Sequence, residues 1–444
     1  MSKQYFGTDG IRGTVGRDPM TADFAIRLAS AVAQVLVPEG GKVLIGKDTR
    51  LSGYMFESAL EAGFTAAGAD VLLLGPLPTP GIATLTQQYG ADLGVVISAS
   101  HNPYHDNGIK FFDGTGSKLT DEIELEIEKQ LAQPAITLES RQLGKAKRID
   151  EARVRYQEFC AGTLPIGMSL EGLTVVFDGA NGAGYKVGPR TLADLGAEVI
   201  TIGCSPNGRN INAGCGSTQP ELLSATVAAV DADVGIALDG DGDRLVMTDE
   251  QGNLLDGDQL LFILAMSRKA AGTLKGPVVG TVMSNLGLEH ALREQDIAFH
   301  RAKVGDRYVL ESLKASGGTI GGETSGHMIV LDRTTTGDGL VSALQILAIM
   351  QSRKEPLSAL AAGMPKYPQT MLNVRTDQHL DPAQSPEIMA AVSEVEAELE
   401  DSGRVVLRAS GTEPVIRVMV EGEDHEQVAL LAQRLADVVA QSTA

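Results

Sequence analysis

Three stretches of this chain repeat one pattern: a short apolar run, a polar turn, a helical stretch and a second apolar run. The first contains KVLIGKD, a helix over 53–67 and ADVLLLG; the second contains LTVVFDG, a helix over 187–195 and AEVITIG; the third contains PVVGTVM, a helix over 286–294 and IAFHRAK. Each is followed by one more β-like run: LGVVISAS, VGIALDGD and GTIGGETSG. Apolar strands that alternate with helices indicate βαβ units. The recurrence therefore predicts three related α/β domains with mixed, largely parallel sheets.

The C-terminal stretch follows another pattern, typical of a small α+β domain. A helix over 386–400 precedes a strand over 404–408, the loop ASGTEP, a strand over 415–421 and a helix over 423–439. We therefore predict four domains, at 1–150, 151–255, 256–366 and 367–444, with the Pro-bearing segment 364–370 as a linker. Because ligands bind at the carboxyl ends of strands in open α/β sheets, loops that follow the apolar runs are the candidate sites.

Composition excludes several classes of protein. The 37 Lys and Arg residues against 57 Asp and Glu give a formal net charge of −20, which disfavours a nucleic-acid binder, since phosphate backbones require basic patches. The cysteines Cys160, Cys204 and Cys215 fit no zinc spacing and are expected to be reduced. Residues 1–13 are polar, and no apolar run approaches a membrane span. We therefore expect no signal peptide, no membrane partner and a cytoplasmic location.

The segment DGDGDR, residues 239–244, is the strongest local signal of a metal site. Asp239, Asp241 and Asp243 alternate with glycines directly after the apolar run VGIAL. Carboxylates so close together repel one another unless a cation lies between them, and oxygen ligands suit Mg²⁺ or Ca²⁺. An EF-hand is excluded because its sixth position requires Gly where this chain has Arg244, and because a strand precedes the loop. A solvated acidic turn is the alternative.

The segment SASHNP, residues 98–103, follows the run LGVVI and offers Ser100 as a nucleophile. His101 is adjacent, but neighbouring side chains on extended backbone point to opposite faces, so we do not expect a Ser-His pair from these two residues. The elbow pattern G-x-S-x-G is also absent. On local evidence alone, an ordinary Ser/Asn/Pro turn stays open as an alternative.

Two further loops have side chains suited to sugar hydroxyls and to phosphate. In GETSGH, residues 322–327, Glu323 and Ser325 would share a face of a strand and could hold sugar hydroxyls. In RASGTEPVIR, residues 408–417, two arginines flank a Ser-Gly-Thr loop, and backbone N–H groups, hydroxyls and guanidinium groups bind phosphate. Arg12 in FGTDGIRG and Lys110 in NGIK are cations that could meet that phosphate. Ordinary turns and surface charges are the alternatives.

Together these loops resemble the α-D-phosphohexomutase superfamily and, within it, the phosphoglucosamine mutase family. The runs that carry the resemblance cover nearly the whole chain: YFGTDGIRG (5–13), ISASHNP (97–103), NGIKFF (107–112), DGDGDR (239–244), KVGDRYV (303–309) and RASGTEPVIRVMVEG (408–422). One departure is Thr324, where the family pattern GExSGH has Gln. It flanks the expected contact residues and is not one of them.

The resemblance implies four domains around a central cleft and an isomerase that interconverts glucosamine 6-phosphate and glucosamine 1-phosphate through a phosphoserine. It implies Mg²⁺, a sugar 1,6-bisphosphate as activator and intermediate, a small-molecule phosphosugar as partner, and a place in amino-sugar nucleotide and cell-wall precursor synthesis; a homodimer is left open. The site residues it implies are Ser100 with the metal ligands Asp239, Asp241 and Asp243; Glu323 and Ser325 on sugar hydroxyls; Gly305 and Asp306 in a substrate-selecting loop; Arg408, Ser410, Gly411, Thr412 and Arg417 on the non-reacting phosphate; and Arg12, Lys110 and His327 for charge stabilisation and proton transfer.

Three rival functions stay open from the sequence. A phosphoglucomutase or phosphomannomutase would use the same chemistry on another sugar. A Mg²⁺-dependent phosphatase would hydrolyse the phosphoenzyme and release inorganic phosphate. A non-catalytic Ca²⁺- or sugar-binding protein would bind without turnover.

Overall fold

The computed structural model describes residues 3–376, 381–409 and 415–442. Within them the chain forms four sheets, each with its own helices. The first domain holds a six-stranded sheet, and its elements in chain order are β1 (Ile11–Thr14), α1 (Ala22–Leu36), β2 (Lys42–Lys47), α2 (Ser52–Ala66), β3 (Asp70–Pro76), α3 (Thr79–Gln88), β4 (Leu93–Ile97), β5 (Asp106–Asp113), α4 (Asp121–Leu131) and β6 (Ala146–Arg148).

The second and third domains hold sheets of five and four strands. The second domain contains α5 (Ala152–Gly162), β7 (Thr174–Asp178), α6 (Val187–Asp194), β8 (Glu198–Ile202), α7 (Glu221–Val230), β9 (Val234–Leu238), β10 (Leu245–Thr248) and β11 (Leu254–Leu255). The third contains α8 (Gly257–Ala270), β12 (Val278–Thr281), α9 (Leu286–Glu294), β13 (Phe299–Ala302), α10 (Asp306–Ser316), β14 (Ile320–Gly322), β15 (Met328–Val330), α11 (Gly339–Arg353) and α12 (Leu357–Ala361).

The fourth domain holds a three-stranded antiparallel sheet. Its elements are β16 (Gln369–Arg375), α13 (Pro386–Leu399), β17 (Gly403–Ala409), β18 (Val415–Gly422) and α14 (His425–Ser442), and β18 lies between the other two strands. Short 3₁₀ turns occur at Ser140–Gln142, Pro382–Gln384 and Glu400–Ser402. Among the described helices, none is both long and apolar enough to cross a membrane.

The first three domains share one strand topology. The adjacent strands are β5-β4-β2-β3 in the first, β10-β9-β7-β8 in the second and β15-β14-β12-β13 in the third. The strands β2, β7 and β12 each pair in parallel with both of their neighbours in this order. The first strand of each order pairs antiparallel with the second: β5 with β4, β10 with β9 and β15 with β14. The prediction of three related α/β domains with largely parallel sheets is therefore confirmed, as is the small α+β domain at the C-terminus.

This shared topology places the three unusual loops in equivalent positions. SASHNP lies between β4 and β5, DGDGDR between β9 and β10, and GETSGH between β14 and β15, so each joins the third parallel strand to its antiparallel neighbour. The strands that lead into the first two loops, LGVVI and VGIAL, are buried at every position. Fully buried strands fix the direction in which each loop leaves the sheet.

Buried apolar side chains join the first three domains into one packed body. A single cluster includes Leu77 of the first domain, Phe177 of the second, and Leu264 and Leu344 of the third. The helices α8 and α11 carry much of it, and both begin at a side-chain cap, a capping box at Asp256 and an N-cap at Asp338. The fourth domain has its own clusters around β18 and α14, and polar contacts, such as that of Leu286 N with Glu421, join it to the third domain.

The segment 364–370, predicted as a linker, packs against the third domain. Met364 is buried, and the side chain of Asn285 accepts a hydrogen bond from Tyr367 N at 3.0 Å and donates one to Tyr367 O at 2.9 Å. The exact domain boundaries stay a prediction.

Candidate active site

Ser100 lies where the first and second domains meet. Its Oγ donates a 2.5 Å hydrogen bond to Asp239 Oδ2, and its backbone N donates to Ser98 Oγ at 2.9 Å. The residue is buried and has a φ of 51°, in the left-handed region that non-glycine residues seldom adopt. Such strain persists only where surrounding contacts impose it.

The left-handed backbone at Ser100 makes one expectation wrong. His101 Nδ1 lies 3.1 Å from Ser100 Oγ, although we expected the two side chains to point apart. That expectation assumed extended backbone, and the turn at Ser100 brings them to the same side. Burial, followed by the charges of Arg244 and Arg12, lowers the pKa of His101 to about 4, so the imidazole beside Ser100 is neutral at pH 7.

Arg50 holds the Ser100 loop in place, and the sequence analysis did not identify it. Its guanidinium is fully buried and donates to Ser100 O at 3.0 Å, Asn102 O at 2.8 Å and Asp106 O at 3.1 Å, and also to Pro103 O. Its Nε pairs with Asp48 Oδ2 at 2.8 Å. The segment DTR, residues 48–50, directly follows β2, so the strand-end rule used for the other loops could have found it.

The second domain contributes a further contact to the same loop. Asn212 Nδ2 donates to Ser100 O at 2.9 Å and to Asn102 O at 3.1 Å. Asn212 is itself in the left-handed region, with a φ of 58°. Side chains from two domains therefore hold the backbone carbonyls of Ser100 and Asn102.

The three aspartates of DGDGDR form a buried group that could hold a metal ion. One carboxylate oxygen from each of Asp239, Asp241 and Asp243 lies within 4.8 Å of the others, and all three residues are buried. Among the described residues, Asp241 Oδ1 and Asp243 Oδ1 have no hydrogen-bond partner. Burial, and then the charges of Asp241 and Asp243, raise the pKa of Asp239 well above its usual value. Unpaired buried oxygens and mutual repulsion fit a divalent cation bound by these carboxylates.

Lys110 and Arg12 supply positive charge beside the aspartates. Lys110 lies in β5, with its Nζ 2.9 Å from Asp241 Oδ2 and 2.8 Å from Asp9 Oδ2. Burial favours the neutral amine, but Asp241 and Asp9 outweigh it and raise the pKa of Lys110. Arg12 lies in β1 and pairs with Asp9, and its buried Nε has no partner among the described residues. Thr79 Oγ1 donates to Asp241 Oδ2 at 2.7 Å.

The GETSGH loop is a turn and not the strand that the spacing suggested. Strand β14 ends at Gly322, and Glu323 N donates to His327 O at 3.0 Å across the turn. Glu323 and Ser325 nevertheless line the same cavity between the third and fourth domains. Gly305 N donates to Glu323 Oε1 at 2.9 Å, which brings the predicted substrate-selecting loop into contact with the predicted sugar-binding carboxylate.

His327 joins the third domain to the three aspartates of DGDGDR. Its Nδ1 lies 3.7 Å from Asp243 Oδ1 and its Nε2 lies 3.5 Å from Asp306 Oδ2. Burial acts to lower the pKa of His327, but the two carboxylates raise it to about 9. The Asp306 carboxylate is also 2.5 Å from Lys118 Nζ, so Asp306 is paired with side chains of the protein.

Arg408 and Arg417 lie opposite each other on the paired strands β17 and β18. Both line the cavity that also contains Glu323 and Ser325. Among the described residues, neither has a carboxylate within ion-pair distance. Burial and the charge of Arg417 lower the pKa of Arg408, as expected for two facing guanidinium groups without a counter-ion. Three other predicted phosphate ligands, Ser410, Gly411 and Thr412, lie outside the described residues.

A polar contact fixes the fourth domain against the third. Arg404 donates to Val282 O at 3.0 Å and Ser284 O at 2.5 Å, and it pairs with Glu421 at 2.6 Å. Glu421 Oε1 accepts from Leu286 N at 2.8 Å. These contacts hold β17 and β18 so that Arg408 and Arg417 face the GETSGH turn.

Family models match the chain in four successive parts. Phosphoglucomutase/phosphomannomutase α/β/α domain I matches residues 3–136, domain II 159–252, domain III 256–367 and the C-terminal domain 371–438. Among solved structures, a phosphoglucomutase/phosphomannomutase family protein from Burkholderia thailandensis covers 98% of both chains at a TM-score of 0.81 and 24% identity. An Aspergillus fumigatus N-acetylphosphoglucosamine mutase, in complex with GlcNAc-6P and magnesium, covers 100% of this chain and 96% of its own at a TM-score of 0.70 and 17% identity. These two show the same fold.

Curated relatives are much closer in sequence. A phosphoglucosamine mutase from Aeromonas hydrophila is 56% identical over 99% of both chains, and one from Methylococcus capsulatus is 57% identical over 100% of this chain and 99% of its own. The resemblance drawn from the sequence motifs is thereby confirmed. The chain belongs to the phosphoglucosamine mutase family, a family of intramolecular phosphotransferases in the isomerase class.

Proposed function

We propose that this chain interconverts glucosamine 6-phosphate and glucosamine 1-phosphate, with Ser100 as the carrier of the phosphoryl group. The observation that carries the proposal is the 2.5 Å contact between Ser100 Oγ and Asp239 Oδ2, where loops of two domains meet. A phosphorylated serine there would lie beside carboxylates that suit a divalent cation. The relatives named phosphoglucosamine mutase support the identity of the sugar.

The reaction has two balanced halves. In the first, the bond between phosphorus and Ser100 Oγ breaks, the phosphoryl group bonds to the C1 hydroxyl oxygen of glucosamine 6-phosphate, and the proton of that hydroxyl ends on Ser100 Oγ. The resulting 1,6-bisphosphate turns around in the cleft. In the second half, Ser100 Oγ takes the phosphoryl group from C6 and loses its proton, which ends on the C6 oxygen. The enzyme is again phosphorylated, and glucosamine 1-phosphate leaves.

We assign each residue a part in the reaction according to where it lies in the cleft. Asp239, Asp241, Asp243 and the phosphate on Ser100 would hold Mg²⁺, which would supply positive charge to the phosphoryl group. Lys110 and Arg12 add fixed positive charge on the side of the first domain, and such electrostatic stabilisation provides most of the catalysis in phosphoryl transfer. Proton transfer is assigned to the group Arg12, Lys110 and His327.

The sugar and its second phosphate would lie between the third and fourth domains. Glu323 would accept hydrogen bonds from sugar hydroxyls, and Ser325 would donate to them or accept from them. Gly305 and Asp306 would lie beside these two residues. Arg408 and Arg417 face each other in this cavity, and no carboxylate among the described residues pairs with either. They therefore suit the phosphate that is not being transferred. Ser410, Gly411 and Thr412 belong to the same proposed phosphate site. Because both phosphates must bind there in turn, this site should respond to charge and not to the position on the sugar.

The proposal includes the remaining parts of the sequence prediction. A sugar 1,6-bisphosphate would act as activator by phosphorylating Ser100, and the partner would be a small-molecule phosphosugar. The cytoplasm is the proposed location, and a homodimer stays open.

A coupled assay tests the activity and its sugar. The purified chain with Mg²⁺ and catalytic glucose 1,6-bisphosphate should convert glucosamine 6-phosphate with a higher kcat/KM than glucose or mannose phosphates. Preference for another sugar would reassign the substrate. Inorganic phosphate released without isomerised sugar would identify a phosphatase, and binding without turnover would exclude the mutase.

Two serines of one loop give a matched test of the phosphoryl carrier. Ser100 Oγ bonds to Asp239, whereas Ser98 Oγ donates to Asp48 at 2.6 Å, away from the metal-binding group. Ser100→Ala should abolish turnover and the covalent phosphate seen by intact mass. Ser98→Ala should retain the covalent phosphate. Phosphate retained on the Ser100→Ala protein, with turnover near wild type, would remove Ser100 from the mechanism.

A further inference from the structure

Lys118 lies at the junction of the first and third domains and has no role in the mechanism described above. It precedes α4, and its backbone bridges to Phe112 of β5. Its Nζ lies 2.5 Å from Asp9 Oδ1 in its own domain and 2.5 Å from Asp306 Oδ2 in the third domain. The side chain is 15% exposed. A largely buried ammonium group therefore joins two carboxylates from different domains.

The two carboxylates belong to a closed ring of alternating charges. Each neighbouring pair in the ring is an ion pair of the structure, and the members, in order, are Lys110, Asp9, Lys118, Asp306, His327 and Asp243. Three members come from the first domain, one from the second and two from the third. The ring thus links the phosphoryl-transfer side of the cleft with the sugar side.

Asp306 transmits its position to the sugar side through two contacts. It is the first residue of α10 and follows Gly305, whose φ of 125° only glycine adopts readily. Gly305 N donates to Glu323 Oε1 at 2.9 Å, and the Asp306 carboxylate lies 3.5 Å from His327 Nε2. A shift of Asp306 therefore moves the partners of both Glu323 and His327.

We propose that Lys118 is a positioning residue that holds the sugar-binding edge of the third domain, through Asp306, at a fixed distance from the phosphoryl-transfer centre of the first domain. This inference rests on the proposed mutase function. The neighbouring Arg307 strengthens the same junction, because it donates to Leu119 O at 2.8 Å and pairs with Asp121 and Glu124 at the start of α4.

The charges of Lys118 and its partners explain why the position of Asp306 depends on it. Burial acts to lower the pKa of Lys118, but Asp306 and Asp9 outweigh it and raise that pKa, so the ammonium group stays charged. Without it, Asp9 would still have Lys110 and Arg12. Among the described residues, Asp306 would keep His327 as its one ion-pair partner, at 3.5 Å, besides the backbone N–H of Arg307. An incompletely paired buried carboxylate turns toward water, and Gly305 would move with it.

The test compares Lys118→Met, Lys118→Arg, Asp306→Asn and the double variant Lys118→Met/Asp306→Asn by steady-state kinetics with glucosamine 6-phosphate. Lys118→Met should lower kcat/KM by about 10- to 100-fold, the loss expected from a displacement of about 1 Å at an active site. Lys118→Arg, which can still bridge two carboxylates, should restore most of it. The double variant should lose no more than Asp306→Asn alone, because Lys118 acts through Asp306.

Lys129→Met is the matched control, because Lys129 in α4 is 60% exposed and pairs only with Glu126 among the described residues. The kcat/KM of Lys129→Met should equal that of the wild-type enzyme. All rates are measured well below the unfolding midpoint of the least stable variant. Wild-type kcat/KM for Lys118→Met, additive losses in the double variant, or failure of Lys118→Arg to recover activity would overturn the inference. An inactive wild-type enzyme would instead overturn the proposed function.

Discussion

Replacing Arg50 with lysine is expected to loosen the Ser100 loop while keeping a positive charge beside Asp48. The guanidinium makes five hydrogen bonds, one to Asp48 and four to backbone carbonyls. An ammonium group has three donors, so at least two of these bonds are lost. Each hydrogen bond from a charged group contributes about 1.5–3 kcal/mol, which sets the loss at about 3 kcal/mol or more.

The lower end of that range applies, because most of the carbonyls keep another donor. Ser100 O and Asn102 O retain Asn212 Nδ2, and Pro103 O retains the backbone N of Asp106. We therefore expect Arg50→Lys to lower the free energy of unfolding by about 3 kcal/mol. Arg50→Met should cost about 3–5 kcal/mol, because it also leaves the buried Asp48 carboxylate without a cation.

The functional consequence concerns the strained backbone at Ser100. When the hydrogen bond from Arg50 to Ser100 O is lost, the left-handed φ of 51° at Ser100 is held less firmly, and Ser100 Oγ moves relative to Asp239. The rate of phosphoryl uptake from glucose 1,6-bisphosphate, followed by intact mass, should fall about 10- to 100-fold in Arg50→Lys.

Urea unfolding measures stability in parallel with that assay. Arg190→Lys is the matched control, because Arg190 is 70% exposed and pairs with Asp194 on the same helix, where such pairs contribute little. Arg190→Lys should leave the rate of phosphoryl uptake and the free energy of unfolding unchanged. Wild-type uptake and wild-type stability in Arg50→Lys would refute the reasoning.

Three further outcomes are expected. Arg417→Ala should raise KM for the phosphosugar strongly, since it removes one of two facing guanidinium groups; an unchanged KM would exclude Arg417 from the phosphate site. Asp241→Asn should weaken Mg²⁺ binding, measured by calorimetry, because it removes negative charge and replaces one carboxylate oxygen with an amide nitrogen; unchanged affinity would place the metal elsewhere. Burial raises the pKa of Asp338 to about 6, so the folded state holds a proton that the unfolded state releases near pH 4. The stabilisation is complete below about pH 4 and is lost as the pH rises through about 6, and two pKa units correspond to about 3 kcal/mol. Asp338→Asn should remove this pH dependence while keeping the helix cap, and unfolding curves that fall in parallel for both proteins would contradict the raised pKa.

Local rules explain most of what the sequence predicted correctly. The βαβ pattern and the position of α9 follow from apolar periodicity, which is set by each segment alone. The aspartates of DGDGDR come together because they follow a buried strand and alternate with glycine over a few residues. Motifs of this kind need no information from distant parts of the chain.

The strained turn at Ser100 marks the limit of such rules. His101 was expected to point away from Ser100, since extended backbone is the default for successive residues. The φ of 51° that brings them together is imposed by Arg50 and Asn212, which lie far away in sequence. No pattern within SASHNP specifies that conformation.

The sequence by itself therefore determined the fold class and the family to which the chain belongs, and it identified the loops that we propose carry the chemistry. Only the tertiary structure decided which charges meet: Lys110 with Asp241, Lys118 with Asp306, and His327 with Asp243. The physical reason is that secondary structure and turns depend on neighbouring residues, whereas an ion pair depends on where three separately folded sheets place their loops.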